Sequence, residues 1–439
     1  MTALPIAETE ARMLLAPLAK VSHVALAVSG GPDSVALLQL AAQRRAAREE
    51  GPALTVLTVD HGLRPGSRAE AEHVGRLASA LGLPYAILTW KHERLPEASL
   101  QERARVARYD LIAAYCHAHG IPALATAHTL DDQAETFLMR LKRGSGLDGL
   151  AAIPERGEWA GIAVLRPLLE VPKLRLIATL DAAGIAFVFD PSNIDPRFER
   201  ARMRESTDAL AALGLTAEAI ALSARRLRRA RAALEAATSE FLSRHSETSE
   251  AGYVLVNEAA LAAAPDEIAL RVLARMIEAV GGSGERVQLA KLESLLAALK
   301  QEPGKAQTLG RCRIEPVKGR LGIFREVRAG GLPVALVRPG ERALWDNRFS
   351  IELGSNESEP ILVKALGEQG LRALRESEAL LASLPRPAGR ALPAVWRGDV
   401  LLGLPRLGQT GKAAKCDCSA TFIGVGSAQI RGTPRPWRR

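Results

Sequence analysis

Residues 25–34 read Ala-Leu-Ala-Val-Ser-Gly-Gly-Pro-Asp-Ser, and the character of the chain changes in the middle of this stretch. The apolar run ends at Val28, a serine–glycine turn follows, and a second apolar pattern runs from Val35 to Leu40. A short buried run, a glycine turn and a longer periodic run predict a strand, a tight loop and a helix.

The glycine turn has the chemistry of a phosphate-binding loop. Glycines lack a Cβ, so the backbone can approach an anion closely there. The start of the following helix adds free N–H groups and the positive end of its dipole. A carboxylate beside phosphates is explained if Asp33 holds a Mg²⁺ ion that bridges them. We therefore expect a phosphate group to bind at Ser29, Gly30, Gly31, Pro32, Asp33 and Ser34.

This loop matches neither of two widespread nucleotide motifs. No lysine follows the glycines, as a Walker loop requires, and the stretch does not read G-x-G-x-x-G. It resembles the SGGxDS loop of the ATP-pyrophosphatase superfamily, whose members cleave ATP to AMP and pyrophosphate while they activate a carbonyl. A plain serine–glycine turn between a strand and a helix is the alternative.

Strands and helices alternate after this loop. Such alternation is typical of βαβ units, so the fold class is α/β with a parallel, Rossmann-like sheet. Ligands of such sheets bind at the carboxyl ends of the strands. Besides the first strand at Val24–Val28, strands are expected at Leu54–Val59, Tyr85–Trp90, Ala123–Ala127, Val164–Leu165 and Phe187–Phe189.

Two further polar groups follow expected strands. Asp60, His61 and Arg64 lie where the second strand ends, beside the phosphate loop, and are candidates for ATP binding. Arg105 and Arg108 are three residues apart on one helix face, and the arginine fork suits phosphate. A surface turn and a solvated helix face are the respective alternatives.

The stretch 127–136, Ala-His-Thr-Leu-Asp-Asp-Gln-Ala-Glu-Thr, places carboxylates at the start of another helix. Asp131, Asp132 and Glu135 share a face at spacings of three and four residues. They predict a negative pocket for an ammonium group or a metal, although the helix dipole alone also favours acids there. Farther along, Arg143 precedes a glycine-rich turn and is expected to face a polyanion.

The balance of charge indicates a polyanionic partner. The 439 residues include 58 Lys and Arg against 49 Asp and Glu, a formal net charge of +9. Nucleic acid is the first candidate, and mere solubility is the alternative. The four cysteines form no C-x-x-C pair, which favours a reduced, cytoplasmic protein. Neither a secretory signal nor a membrane-spanning run is expected.

The motifs of residues 20–205 together resemble those of the bacterial tRNA(Ile)-lysidine synthetases, and they occur in the order of that family. One departure is that Ala201 follows Arg200, where the family usually has Arg-Asn. The shared motifs are the SGGxDS loop, H-x-L-R at 61–64, A-R-x-x-R-Y at 104–109, A-H-x-x-D-D-Q-x-E-T at 127–136, R-G-S-G-L at 143–147, R-P-L-L at 166–169 and D-x-S-N-x-D at 190–195.

This resemblance implies an ATP-dependent ligase that acts on tRNA. ATP would adenylate O2 of the wobble cytidine in a CAU-anticodon tRNA(Ile), and the ε-amine of free L-lysine would displace AMP to give lysidine. The resemblance implies that Asp33 contacts Mg²⁺ or lysine, and that Asp132 and Glu135 bind lysine. It also implies that Arg105 or Arg108 contacts the α-phosphate, and the choice between them stays open.

Three domains are expected, the later two mainly from the resemblance. They are a catalytic domain at 1–208, a helical tRNA-binding domain at 209–325 and a small, mostly β tRNA-binding domain at 331–439. A homodimer is one expectation for the assembly, and no membrane partner is expected. The expected tRNA contacts are Arg143, Arg200, Arg204, Arg225 and Arg229, with a solvated helix face as the alternative for the last two.

Two other functions are compatible with the phosphate loop. A tRNA thiolation enzyme would need paired cysteines, and an ammonia-using amidotransferase would need a glutaminase domain; neither feature is evident in the sequence. A tRNA-binding protein without catalysis is the third hypothesis. The acids at Asp33, Asp132 and Glu135 argue against it.

Overall fold

The computed structural model describes residues 3–46, 51–63, 66–92, 100–188, 202–203, 206–283, 286–328, 330–374, 378–408 and 416–423. These residues form two compact units, one up to residue 232 and the other from residue 233 onward. No helix within these ranges is long and apolar enough to cross a membrane.

The first unit is built on a six-stranded sheet of order β3-β2-β1-β4-β6-β5. All neighbouring pairs are parallel except β5 and β6, which form an antiparallel hairpin at one edge. The α/β fold class with a parallel sheet is therefore confirmed. The strands are β1 (His23–Ala27), β2 (Ala53–Asp60), β3 (Tyr85–Thr89), β4 (Ala123–Ala125), β5 (Arg156–Trp159) and β6 (Ile162–Leu165).

Helices cover both faces of this sheet. Because side chains alternate along a strand, Val24 and Leu26 of β1 pack with helices on one face, and Ala25 packs with Ile112 on the other. A short 3-10 helix spans Ala16–Lys20. The α-helices are α1 (Glu8–Leu14), α2 (Pro32–Ala46), α3 (Ser67–Ala80), α4 (Leu100–Ala118), α5 (Leu130–Lys142), α6 (Leu147–Leu150), α7 (Lys173–Ala182), α8 (Thr207–Ala212) and α9 (Ala217–His245).

The strand order reverses at β1, and this reversal opens a crevice at one edge of the sheet. The chain moves from β1 outward through β2 to β3, then crosses back to β4 on the other side of β1. Loops that leave β1 and β4 in opposite directions open a crevice between them at the carboxyl ends. The phosphate loop follows β1 and the acidic stretch follows β4, so both predicted motifs border this crevice.

The strand expected at Phe187–Phe189 is not present in the described part of that segment. Phe187 and Val188 lie outside any strand, and Phe189 lies outside the described residues. Val188 N instead donates a hydrogen bond of 2.9 Å to Gly30 O in the phosphate loop. The segment therefore braces the loop and adds no strand to the sheet.

The second unit begins with a helix-and-sheet layer. Residues expected to be helical also contain a five-stranded antiparallel sheet of order β7-β8-β11-β10-β9, against which a helical core packs. The elements are β7 (Ser246–Ser249), β8 (Tyr253–Asn257), α10 (Glu258–Ala263), α11 (Asp266–Gly281), α12 (Leu289–Gln301), β9 (Gln307–Leu309), β10 (Cys312–Val317) and β11 (Arg320–Arg325).

The rest of this unit is rich in β-structure, as expected. Two four-stranded sheets, β12-β15-β16-β17 and β13-β14-β19-β18, enclose one apolar core that includes Trp345 and Phe349. The domain boundaries at 208 and 331 stay predictions. The elements are β12 (Ala335–Val337), β13 (Arg342–Trp345), β14 (Phe349–Leu353), β15 (Ile361–Ala365), α13 (Gly367–Leu374), α14 (Ala379–Ser383), α15 (Arg386–Arg390), β16 (Pro393–Arg397), β17 (Val400–Gly403), β18 (Arg406–Leu407) and β19 (Cys418–Phe422).

A buried Arg–Asp–Arg cluster joins the two layers of the second unit. Asp346 accepts hydrogen bonds from Arg325 Nε and Nη2, each 2.9 Å, and from Arg348 Nε at 2.6 Å. Arg348 also donates to Gly252 O and Ala391 O. Arg325 ends β11, while Asp346 lies in the β13–β14 turn, so this carboxylate links the five-stranded sheet to the next layer.

Candidate active site

The predicted phosphate loop forms a tight turn between β1 and α2. Gly30 has a φ of +87°, in the left-handed region that favours glycine. The Ser34 hydroxyl accepts a hydrogen bond from Ser29 N (3.1 Å) and donates one to Gly31 O (2.9 Å). Ser34 therefore shapes the loop. Pro32 begins the helix, where its missing N–H costs no hydrogen bond.

Asp33, in the first turn of α2, is the centre of charge at this loop. Lys173 Nζ lies 3.3 Å from its Oδ2. Its Oδ1 is buried and accepts no hydrogen bond from any described residue. Burial raises the pKa of Asp33 to about 6, Lys173 lowers it, and the carboxylates of Asp132 and Asp131 raise it. Three acids and one ammonium group thus meet at the mouth of the loop.

Two acids of α5 also hold helix ends. Asp131 Oδ2 accepts a hydrogen bond of 2.7 Å from the backbone N of Lys173, the first residue of α7. Asp132 Oδ2 accepts one of 2.9 Å from Thr129 N, while the Thr129 hydroxyl accepts from Asp132 N, a capping box. Glu135 lies one turn farther along α5 and is 7% exposed. Asp132 therefore has a capping role, and its contact with a ligand stays a prediction.

The β5–β6 hairpin positions the α4 arginines. Arg105 and Arg108 are both exposed. The Arg105 guanidinium carbon lies 5.2 Å from the centre of the Tyr109 ring, a cation–π contact. Tyr109 packs against Trp159 of β5, with ring centres 5.0 Å apart, and Trp159 Nε1 donates to Asp110 Oδ1 (2.8 Å). The hairpin thus holds the face of α4 on which Arg105 lies.

The turn after β2 is held by its own side chains. The buried Asp60 accepts hydrogen bonds from Gly62 N (3.1 Å) and from the Ser67 hydroxyl. His61 Nδ1 accepts from Leu63 N (3.1 Å). Arg64 lies outside the described residues. Their contact with ATP stays a prediction, and beside them an open depression is lined by Gly62, Thr89, Trp90, Lys91 and His92.

Arg143 is exposed just after α5, and the loop that follows is tied back to that helix. The Gln133 side-chain amide donates to Ile153 O and accepts from Ile153 N, both at 2.8 Å. Arg140 Nη1 donates to Gly149 O (2.8 Å), and burial lowers the pKa of Arg140 to about 10. Arg140 therefore acts as a structural cation of this loop.

The arginines of α9 divide into two sets. Arg225 and Arg228 each lie 2.9 Å from a carboxylate oxygen of Glu170. Arg229 is exposed and forms none of the ion pairs found among the described residues. Two further expected tRNA contacts lie outside the described residues, Arg200 and Arg204.

This division gives a prediction for tRNA affinity. We expect Arg229→Gln to raise the Kd for tRNA about two- to fivefold and to flatten its salt dependence, because an unmatched charge near a phosphate releases a counterion on binding. Arg225→Gln is the matched control, with a smaller effect, since Glu170 already offsets its charge. Fluorescence anisotropy at several salt concentrations measures both. Equal effects of the two substitutions would contradict the division.

Lys173 is the site residue that the sequence analysis missed. The sequence signal was weak, a lysine after Val171-Pro172 at the start of a helix, just beyond the R-P-L-L motif. Only the packing of α7 beside α2 brings it to Asp33. The phosphate loop lacks a lysine of its own, and the fold supplies one from a distant part of the sequence.

The four cysteines are all buried. Burial raises the pKa of Cys116 to about 11, and the pKa values of Cys312 and Cys418 to about 12. Burial is also the main cause that raises the pKa of Cys416. A nucleophilic thiolate is disfavoured at each of them, which argues against sulfur transfer through these thiols.

Known proteins resemble the chain in both sequence and motif content. A family described as a PP-loop domain matches residues 4–209. A tRNA(Ile)-lysidine synthase of Rhodopseudomonas palustris is 48% identical over 299 residues, which cover 67% of this chain and 85% of that protein. A tRNA(Ile)-lysidine synthase of Ruegeria pomeroyi is 37% identical over 391 residues, which cover 88% of this chain and 89% of that protein.

Proposed function

Since the chain belongs to the family of tRNA(Ile)-lysidine synthases, we propose that the crevice between the ends of β1 and β4 is its active site. The enzyme is a ligase that forms a carbon–nitrogen bond, uses ATP and acts on tRNA(Ile). One observation carries the proposal for the site. Asp33 of the phosphate loop and Asp131 of α5 come from distant stretches of chain, and Lys173 contacts both: its Nζ lies 3.3 Å from Asp33 Oδ2, and its backbone N donates a hydrogen bond of 2.7 Å to Asp131 Oδ2.

The proposed reaction has two steps. O2 of the wobble cytidine attacks the α-phosphorus of ATP, and the bond from that phosphorus to the bridging oxygen breaks as pyrophosphate leaves. The ε-amine of free L-lysine, after losing a proton, forms a bond to C2. The C2–O2 bond then breaks as AMP leaves, so the carbonyl oxygen of the base ends on AMP.

The loop residues fit the first step. Negative charge grows on the pyrophosphate as it leaves, and preorganised donors at that place stabilise the transition state. We propose that backbone N–H groups at Gly30 and Gly31 and the first turn of α2 supply these donors. Lys173 adds a cation at the mouth of the loop, where it can pair with phosphate in place of Asp33.

The donor set also fits Mg²⁺. Among the described residues no three or more His, Cys, Asp or Glu form a cage for a metal, so a purely protein-held ion is not indicated there. Mg²⁺ commonly takes one or two carboxylates and completes its octahedron with phosphate and water. Asp33, with its buried Oδ1 without a donor, would hold the ion, which when bound offsets charge on the leaving pyrophosphate.

The acids of α5 are the proposed lysine site. An ammonium group needs nearby negative charge, and Asp132 and Glu135 supply it on one helix face. The same group must lose a proton before it can attack, and a neighbouring carboxylate is a place for that proton. On α4, Arg105 or Arg108 would contact the α-phosphate, where the arginine fork matches two phosphate oxygens.

The decisive experiment measures transfer of labelled lysine to an unmodified CAU-anticodon tRNA(Ile) transcript, with ATP and Mg²⁺, alongside release of AMP. A tRNA(Met) transcript is the control. Lysine on the isoleucine transcript alone, with one AMP for each lysine, supports the proposal. AMP release without lysine transfer would indicate a different nucleophile. Bound tRNA with neither product would indicate a binding protein.

A second measurement tests the lysine site. We expect Glu135→Gln to raise the KM for lysine about tenfold or more and to leave the Kd for ATP within about twofold, because a buried carboxylate facing an ammonium group is lost. Glu158→Gln, an exposed carboxylate on β5, is the matched control. A loss confined to kcat, with unchanged KM, would remove Glu135 from the lysine site.

Two properties of the whole protein remain proposals of the same kind. A homodimer is proposed for the assembly, and light scattering of the active preparation decides it. A cytoplasmic location is proposed from the tRNA substrate and the lack of cysteine pairing. Fractionation of the source cells measures it.

A further inference from the structure

Arg166 is a half-buried cation with no carboxylate paired to it in the part of the chain that the structure describes. It follows β6 directly, and its Nη1 donates a hydrogen bond of 2.9 Å to Pro154 O. Its Nε is buried and has no acceptor among the described residues. No acid of the described chain forms an ion pair with it. Because removing a cation from water without a matching anion is costly, such a group is suited to a ligand that supplies the anion.

A second positive charge lies near it. Burial lowers the pKa of Arg166, Tyr109 raises it, and the like charge of Arg105 lowers it. Arg105 is exposed and rests on the Tyr109 ring, whose other contact is Trp159. Tyr109, on which Arg105 lies, packs against Trp159 of β5, and the Arg166 guanidinium lies beside Gly157 of the same strand. With no acid among the described residues paired to Arg166, these two guanidinium groups are suited to bind one phosphate group.

The position of Arg166 and Arg105 relative to the strands indicates whether ATP or tRNA supplies the phosphate. β6 is two strands from β1, roughly 10 Å at the usual strand spacing. The open depression beside Gly62 and Trp90 lies at the ends of β2 and β3, on the opposite side of β1. On the proposed location, the pyrophosphate of ATP lies on the loop and its adenosine extends toward β2. The side of the crevice at β4 and β6 is then open to the tRNA.

We propose that Arg166 and Arg105 together bind a backbone phosphate of the tRNA next to the wobble cytidine. This assignment rests on the proposed location of ATP. Packing of Tyr109 against Trp159 holds Arg105 over the site, and the hydrogen bond to Pro154 O holds Arg166 beneath the hairpin. With Arg105 used in this way, Arg108 becomes the arginine for the α-phosphate of ATP.

The test measures the two substrates separately. The Kd of an unmodified tRNA(Ile) transcript is measured without ATP over a range of salt, and the Kd of ATP without tRNA, for Arg166→Met, Arg166→Lys and Arg105→Gln. We expect Arg166→Met to weaken tRNA binding about tenfold, to reduce the salt slope by about 0.7–0.9 and to leave ATP binding within about twofold. Arg166→Lys keeps the charge without the fork and recovers part of the loss.

A matched control removes one positive charge from the adjacent β5–β6 hairpin. Arg156 is exposed on β5, and Arg156→Met should leave both dissociation constants within about twofold. Weaker ATP binding with unchanged tRNA binding in Arg166→Met would show that Arg166 contacts ATP and would overturn the proposal. Unchanged binding of both substrates, with a lower Tm, would reduce Arg166 to a structural residue.

Two outcomes require a further comparison: a variant that does not fold, and a wild-type enzyme that makes no lysidine. Where Arg166→Met does not fold, the exposed Arg105→Gln decides, because unchanged tRNA binding in that variant overturns the shared site. Wild-type enzyme that binds tRNA and ATP but makes no lysidine would contradict the proposed function. The binding constants of the variants would still report on the phosphate site, so the two failures are distinguishable.

Discussion

Asp33→Asn is expected to lower kcat for lysidine formation on the order of 10²–10³-fold or more, while tRNA binding changes only a few-fold. The carboxylate is proposed to hold Mg²⁺ against the leaving pyrophosphate, and asparagine keeps the shape but removes the charge on which this depends. Asp181→Asn, an exposed acid on α7, is the matched control and should keep wild-type activity. Single-turnover lysine transfer measures the effect.

The same substitution should stabilise the folded protein when no metal is added. Burial raises the pKa of Asp33 to about 6, above the value of about 3.9 for an unfolded chain. The native state therefore binds the proton more tightly, and the free energy of unfolding falls as pH rises from about 4 to about 6. Above that range the charged form is a cost, about 3 kcal/mol for a pKa raised by about two units, that Asp33→Asn removes.

Thermal unfolding in EDTA at pH 5 and pH 8 tests whether Asp33→Asn stabilises the protein and whether the effect grows with pH. We expect the gain in Tm of Asp33→Asn over wild type to be larger at pH 8 than at pH 5. An inactive variant with a lower Tm at pH 8 would contradict the electrostatic account, because loss of activity would then follow from damage to the fold. An active Asp33→Asn variant would contradict the proposed role in catalysis.

Asp346→Ala is expected to destabilise the second unit by about 3–5 kcal/mol. Asp346 is 6% exposed and accepts hydrogen bonds from both Arg325 and Arg348, so its removal leaves two buried guanidinium groups without their anion. Alanine also fits poorly at a φ of +49°, where aspartate and asparagine are better tolerated. Asp346→Asn, which keeps the backbone preference, should cost less than Asp346→Ala.

Urea unfolding of the full chain, followed by the fluorescence of Trp345 and the other tryptophans, measures this loss. Asp266→Ala is the matched control, since its pairing with Lys300 is on the surface and its loss should cost no more than about 1 kcal/mol. A similar, small effect of both substitutions would show that the two layers of the second unit do not depend on the buried cluster.

Local motifs were predictable because their chemistry lies in consecutive residues. The loop from Ser29 to Ser34 and the acids from Asp131 to Glu135 are each defined by neighbours in sequence, and the alternation of strands and helices places both at one edge of the sheet. The structure brings Asp33, Asp131 and Asp132 together as that reasoning requires.

Lys173 and Arg166 could not be found in this way. Each is a single basic residue in a stretch without a motif. The ion pair of Lys173 with Asp33, and the buried Nε of Arg166 without an acceptor among the described residues, are visible only in the packed structure. For Asp132 the alternative from the sequence is that the helix dipole favours acids at this place. The sequence alone does not show that Asp132 both caps the helix and acts on the charge of Asp33.

The missed sheet in the second unit has a different cause. β7 reads Ser-Glu-Thr-Ser, without the apolar alternation by which a half-buried strand is recognised. β8, Tyr253–Asn257, has a strand-like composition, but it follows a 29-residue helix and precedes three more helices, so the sequence of the region is typical of helices. The sheet is stabilised mainly by the apolar core beneath it, which includes Ile323 and Val254.

The contact between Lys173 and Asp33 has a consequence for synthesis on the ribosome. Strand β1, the loop and α2 emerge early, yet the cation that meets them arrives only with α7, whose Leu176 and Leu180 pack into the same core as α2. Contacts between residues so far apart in sequence form late and slowly. A nascent chain that ends before α7 therefore lacks the cation of the proposed nucleotide site, and we expect ATP to stabilise the fold fully only after this helix has docked.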